Sequence, residues 1–98
     1  MAEYRVTYWD EIPSMVTARG EGGATAKAAL SDRFQEAIDE AAMRRGLMGS
    51  DQYLEAWRHD AWQAAEGDPD AVARTVAERL ERDYPPDRLA RMLEVDHA

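Results

Sequence analysis

Tyr4-Arg5-Val6-Thr7-Tyr8 alternates large apolar with polar residues, the period of a half-buried strand, and puts Tyr4, Val6 and Tyr8 on one face. Asp10-Glu11-Ile12-Pro13-Ser14 breaks the alternation. Proline cannot donate to a ladder, so the chain is expected to turn there before Met15-Val16-Thr17-Ala18-Arg19 resumes an extended pattern. The spacing predicts a β-hairpin over 4–19 with a loop of several residues. It closes at Gly20-Glu21-Gly22-Gly23, where the glycines tolerate positive φ.

From residue 24 to 45 the period becomes helical, with Leu30, Phe34, Ile38, Ala41 and Ala42 on one stripe. Gly46 follows Arg44 and Arg45, which suits a left-handed helix end with cations at the negative pole of the dipole. A second helix is expected over 50–66, capped by Ser50, with Tyr53, Leu54, Trp57, Ala61, Ala64 and Ala65 as its apolar face and Gly67 as its end. Asp68-Pro69 reads as an N-cap and first-turn proline. The third helix, 69–83, then carries Val72, Val76 and Leu80 at steps of four. Tyr84-Pro85-Pro86 ends it, because a residue before proline is pushed out of helical geometry. Residues 87–94 suit a short fourth helix with Leu89, Met92 and Leu93 inward, and Val95 to Ala98 is expected to fray. The architecture expected is α+β: one domain over 1–98, an N-terminal hairpin packed on three to four helices. An isolated hairpin is marginal in water, so it must pack on those helices or pair through its edge in a homodimer.

Charge narrows the partners. The 98 residues hold 20 Asp and Glu against 12 Lys and Arg, a net charge of -8. The negative excess is spread over the helices, with no matching basic patch in the linear sequence, which argues against nucleic acid and anionic membranes. No apolar run approaches the ~18 residues of a membrane span, and the first ten residues lack a basic end followed by an apolar stretch, so a cytoplasmic location is expected. The absence of cysteine removes disulfides, thiolate metal sites and cysteine nucleophiles.

Three motifs in order carry a family resemblance. Tyr8-Trp9-Asp10-Glu11-Ile12-Pro13 with Met15-Val16 comes first, then the run from Leu30-Ser31-Asp32-Arg33-Phe34 through Ala37-Ile38-Asp39 to Ala41-Ala42-Met43, then Tyr53-Leu54-Glu55-Ala56-Trp57. Over about residues 4 to 60 the chain resembles the bacterial virulence factor family, and nothing familial is recognised after Gly67. The resemblance implies a small domain of the kind that also closes the longer conserved virulence factor C. It further implies an accessory role, with folate- or corrinoid-linked one-carbon metabolism as the associated chemistry. It transfers no catalytic residue.

Candidate chemistry is sparse. Glu55 and His59, four apart on the expected second helix with Asp60 adjacent, could begin a metal site or an acid/base pair, but only His97 offers another imidazole, so no metal and no cofactor are assigned. Asp32, Glu36, Asp39 and Glu40 form a carboxylate stripe that would meet a basic protein partner. Trp9, Ile12 and Pro13 at the hairpin end are either a core lid or an aromatic anchor for that partner. Trp57 reads as core, whereas Trp62 falls at a margin or interface. The glycines at 20–23 before a helix superficially suggest a phosphate cradle, although Glu21 would repel phosphate and Lys27 lies a turn beyond. Ser14, Ser31 and Ser50 lack a nucleophile signature. The balance favours a non-enzymatic interaction or assembly module. The alternative, an accessory subunit or enzyme of one-carbon metabolism, requires a polar pocket among Tyr8, Arg33, Tyr53, Trp57 and His59.

Overall fold

A computed structural model describes residues 1–47 and 49–95. The expected α+β class is present, with more strand than the hydrophobic pattern announced. The strands are β1 (Ala2–Trp9), β2 (Ile12–Gly20), β3 (Thr25–Ala29), β4 (Trp57–His59) and β5 (Gln63–Ala65). The helices are α1 (Asp32–Arg44), α2 (Asp51–Glu55), α3 (Pro69–Asp83) and α4 (Pro86–Val95). His97 and the tail 96–98 lie outside the described residues.

The hairpin is tighter than expected. Only Asp10 and Glu11 separate its strands, and Asp10 takes a positive φ of 56°, which aspartate tolerates better than most side chains. Pro13 does not force the turn. It lies inside β2 opposite Tyr8, and the register slips there: Thr7 faces Met15, Tyr8 faces Pro13, and Ser14 is passed over as a bulge. The carbonyl of Ser14 accepts from Leu30 N–H at 3.3 Å instead.

Two segments expected as helix pair as strands. Residues 25–29 join β2 antiparallel as β3, and α1 begins only at Asp32. The expected helix over 50–66 stops after one turn, and the chain returns along β1, with β4 against Thr7–Trp9 and β5 against Ala2–Tyr4. In the gap between β4 and β5, Asp60 keeps β1 satisfied. Its carboxylate accepts from Val6 N–H at 2.7 Å and its own N–H donates to the Val6 carbonyl at 3.1 Å. β1 and β2 therefore each have strand neighbours on both sides, and the open edges of the sheet lie at β3 on one side and at the short β4 and β5 on the other.

The sheet has one apolar face. Ala2, Tyr4 and Val6 of β1 and Val16 and Ala18 of β2 are buried, and they face α3, whose Val72, Ala73, Val76 and Leu80 are buried in turn. Gly20 lies so close beneath the first turn of α3 that a Cβ there would come within 2.9 Å of the Pro69 ring. The caps of α3 match expectation: the Asp68 carboxylate accepts from Ala71 N–H at 2.8 Å and Pro69 occupies the first turn. At the hairpin end, α1 buries Phe34, Ala37, Ile38, Ala41 and Ala42, and its end is closed by Gly46 at φ 68°. Leu89 of α4 completes the core.

One titration follows from this packing. Tyr8 sits partly buried beneath the Arg58 guanidinium, 4.5 Å from its ring centre, and burial raises its phenolic pKa, with Tyr84 and Asp60 adding to the rise. The folded chain thus holds the proton to higher pH than the unfolded chain, so this contribution is intact below about pH 10 and is lost as pH climbs beyond it. In urea melts above that pH, Tyr8→Phe is expected to flatten the decline in stability. Parallel declines for the two proteins would contradict it.

Candidate functional site

Of the two roles left open for Trp9, Ile12 and Pro13, core lid or aromatic anchor, their burial fits the first. Trp9 is 0% exposed and Ile12 3%, and Pro13 is equally enclosed. The Trp9 indole N–H donates to the Tyr53 carbonyl at 3.0 Å, and its ring lies 5.6 Å from that of Tyr53. The turn beside it is clamped by the segment after α1: Arg45 pairs with the Asp10 carboxylate at 2.8 Å, Arg58 donates to the Asp10 carbonyl at 2.8 Å, and Asp10 N–H reaches the Ala56 carbonyl. That segment covers the hairpin tip, so no aromatic anchor projects there.

The carboxylate stripe is divided. Asp32 and Glu36 are exposed, while Gln35 donates to Asp39 at 3.0 Å and Arg44 pairs with Glu40 at 2.9 Å. Glu36 and Glu40 border a shallow groove against Leu89 and Leu93 of α4, whereas Asp32 lies on a different cavity. Glu55 and His59 do not share a helix face, because the helix ends between them and His59 belongs to β4. Among the described residues no three His, Asp or Glu side chains gather as a metal-binding group.

The five residues of the expected polar pocket do not converge. Arg33 reaches the far end of α3, bonding the carbonyls of Glu81 and Tyr84. Tyr53 stands between Trp9 and Trp57, edge-on to the latter at 6.3 Å, while Tyr8 is taken up by Arg58. Of the five, Trp57 lines a cavity of about 390 Å³ with Thr7, Met15, Phe34 and Gln35, and His59 bonds the Thr7 hydroxyl at 3.0 Å. The glycines of 20–23 lead into β3, with Gly22 and Gly23 at positive φ, so no helix N-terminus follows them and the phosphate-cradle geometry is absent.

What the pattern missed is the polar face of the sheet. Antiparallel register places Arg5 opposite Thr17 and Thr17 opposite Lys27, so the three form one row across β1, β2 and β3. The next row is Glu3, Arg19 and Thr25. These side chains alternate with the buried ones and point away from α3. Glu3, Arg19, Thr25 and Lys27 are exposed, and Arg5 and Thr17 half-buried. Trp62, from the stretch between β4 and β5, lies against this face with the Arg19 guanidinium 3.8 Å and the Arg5 guanidinium 4.6 Å from its ring centre. Arg19 also pairs with Glu3 at 3.3 Å. The two rows hold three cations and one carboxylate in a chain of net charge -8, so a basic patch exists that linear reading excluded. The available signal was the polar half of the strand alternation, but with 24–45 read as helix, Lys27 could not be aligned with Arg5.

Among the described residues no helix is long and apolar enough to cross a membrane. No curated protein and no solved structure matches the chain. The model of one family, described as virulence factor, matches residues 7–93, which carries the likeness past Gly67 through α3 and most of α4. Taken with the three motifs, now seen to build the hairpin, α1 and the α2 turn beneath Trp9, this match shows that the chain belongs to the virulence factor family.

Proposed function

We propose that this domain is a protein-interaction or assembly module that docks on a larger partner through the polar face of its sheet. The observation that carries this reading is the asymmetry of the sheet. α3 seals one face, while the opposite face presents Arg5 and Arg19 against the Trp62 ring, with Lys27 two strands across in the Arg5 row. Aromatic and arginine side chains set together on a surface are the composition of interface hot spots. An enzymatic reading finds less support, since the polar residues it would need are used in separate structural contacts.

A photo-crosslinking residue placed at Thr17, at the centre of the polar face, is expected to yield discrete protein adducts in cells. The same residue at Arg82, on the exposed side of α3, is expected to yield few. Equal labelling from both positions, or none from Thr17, would count against a docking role for the sheet.

A further inference from the structure

Arg5 is the least settled cation on the sheet. Its Nε is shielded from solvent and has no hydrogen-bond partner, and among the described residues no carboxylate pairs with its guanidinium. The contact that holds it is the ring of Trp62. A partly desolvated guanidinium without an anion is unfavourable alone, yet it binds an incoming carboxylate more strongly than a fully hydrated cation does, because the local dielectric is low and much of the desolvation has already occurred. The Trp62 ring orients Arg5 and Arg19 together, which removes some of the freedom that would otherwise be lost on binding.

Lys27 stands in the same row, two inter-strand spacings away, which is roughly 10 Å between backbones. Between them the Thr17 hydroxyl can donate or accept. We propose, resting on the docking role above, that this face receives an acidic peptide segment of a partner protein, with carboxylates taken by Arg5 and Lys27 and a further one near Arg19. Charge complementarity selects this occupant. Three cations, one of them already shared with Glu3, suit a few carboxylates, whereas a nucleic acid would carry its phosphates beyond this small patch onto a chain of net charge -8 and be repelled.

The test is a heteronuclear NMR titration of the full chain with octaglutamate at low salt, with octalysine and a twelve-nucleotide oligothymidylate as comparison probes. Octaglutamate is expected to shift the amides of Arg5, Thr17, Arg19 and Lys27 and the Trp62 indole. The shifts should fade at 300 mM salt as screening sets in, to about one Debye length of 4–6 Å. Lys27→Glu, at an exposed position of β3, is expected to weaken binding about tenfold or more with an unchanged far-ultraviolet circular dichroism spectrum. Absence of shifts, shifts elsewhere, unchanged binding by Lys27→Glu, or tighter binding of oligothymidylate on this face would each overturn the proposal. If Thr17 still crosslinks to protein while octaglutamate fails, the acidic chemistry is wrong and the docking role stands. If both fail, the docking role falls with it.

Discussion

Trp9→Ala is expected to cost about 3–5 kcal/mol, the range for removing a fully buried aromatic side chain. Trp9 has no exposed surface, and its removal takes away more than its own packing. Its indole N–H is the donor to the Tyr53 carbonyl, its ring is the neighbour of the Tyr53 ring, and Arg45 lies 5.3 Å over it. α2 is a helix of five residues, too short to persist by itself, and is held by the Ser50 cap and by this contact. Because single domains are stable by only about 5–15 kcal/mol, the variant should melt far below the parent in urea followed by circular dichroism. Trp9→Phe keeps most of the ring volume but leaves the Tyr53 carbonyl without its donor, and an intermediate loss of about 1–2 kcal/mol is expected. A Trp9→Ala midpoint within error of the parent would mean that Trp9 is not the keystone its burial indicates. With the expected early melting, any loss of partner binding in this variant reflects unfolding, as a core lid requires and a surface anchor would not.

The difference between these two readings of Trp9 shows what sequence patterns can and cannot reach. Local signals were legible wherever a local interaction decides the geometry. Asp68-Pro69 starts α3, Gly46 ends α1, and Ser50 accepts from Tyr53 N–H at 3.3 Å, all as spacing and capping chemistry require. The alternation at Tyr4, Val6 and Tyr8 likewise gave the first strand and its inward face. Pairing partners were not legible. Thr25-Ala26-Lys27-Ala28-Ala29 is alanine-rich and reads as helix by composition, yet β2 needs a neighbour, and the small Ala26 and Ala28 sit half-buried in the sheet beside α3. Trp57, Ala61, Ala64 and Ala65 have helical spacing, yet the other side of β1 was open, and Asp60 could satisfy Val6 across an interruption that no helical pattern describes. Tertiary demand overrode propensity in both cases. The candidate site failed for the same cause: Arg5, Thr17 and Lys27 are a row only once three strands are in register.

Arg33→Ala should be the other severe substitution, at about 2–3 kcal/mol, because it uncouples helices that are far apart in sequence. α1 starts without a side-chain cap of its own: the Ser31 hydroxyl donates instead to Glu81 of α3 at 2.8 Å, and Ser31 N–H donates to the same carboxylate at 2.6 Å. Glu81 thereby places a negative charge at the positive end of α1. Arg33 closes the arrangement, pairing with Glu81 at 3.0 Å and donating to the carbonyls of Glu81 at 2.8 Å and Tyr84 at 3.1 Å. The last two are carbonyls at the C-terminal end of α3, where a helix lacks its own donors. One guanidinium therefore serves the start of α1, the end of α3 and the turn into α4, and its planar fork is suited to bonding several acceptors at once. Arg33→Lys keeps the charge but cannot reach them all, and is expected to recover less than half of the loss. Glu81→Gln retains an acceptor for Ser31 but removes the ion pair, and is expected to be milder than Arg33→Ala. A double-mutant cycle between Arg33 and Glu81, read by urea denaturation, should give a coupling of about 1 kcal/mol or more. Additive losses would show that the two side chains stabilise the ends of α1 and α3 independently, and the coupled joint inferred from their geometry would have to be abandoned.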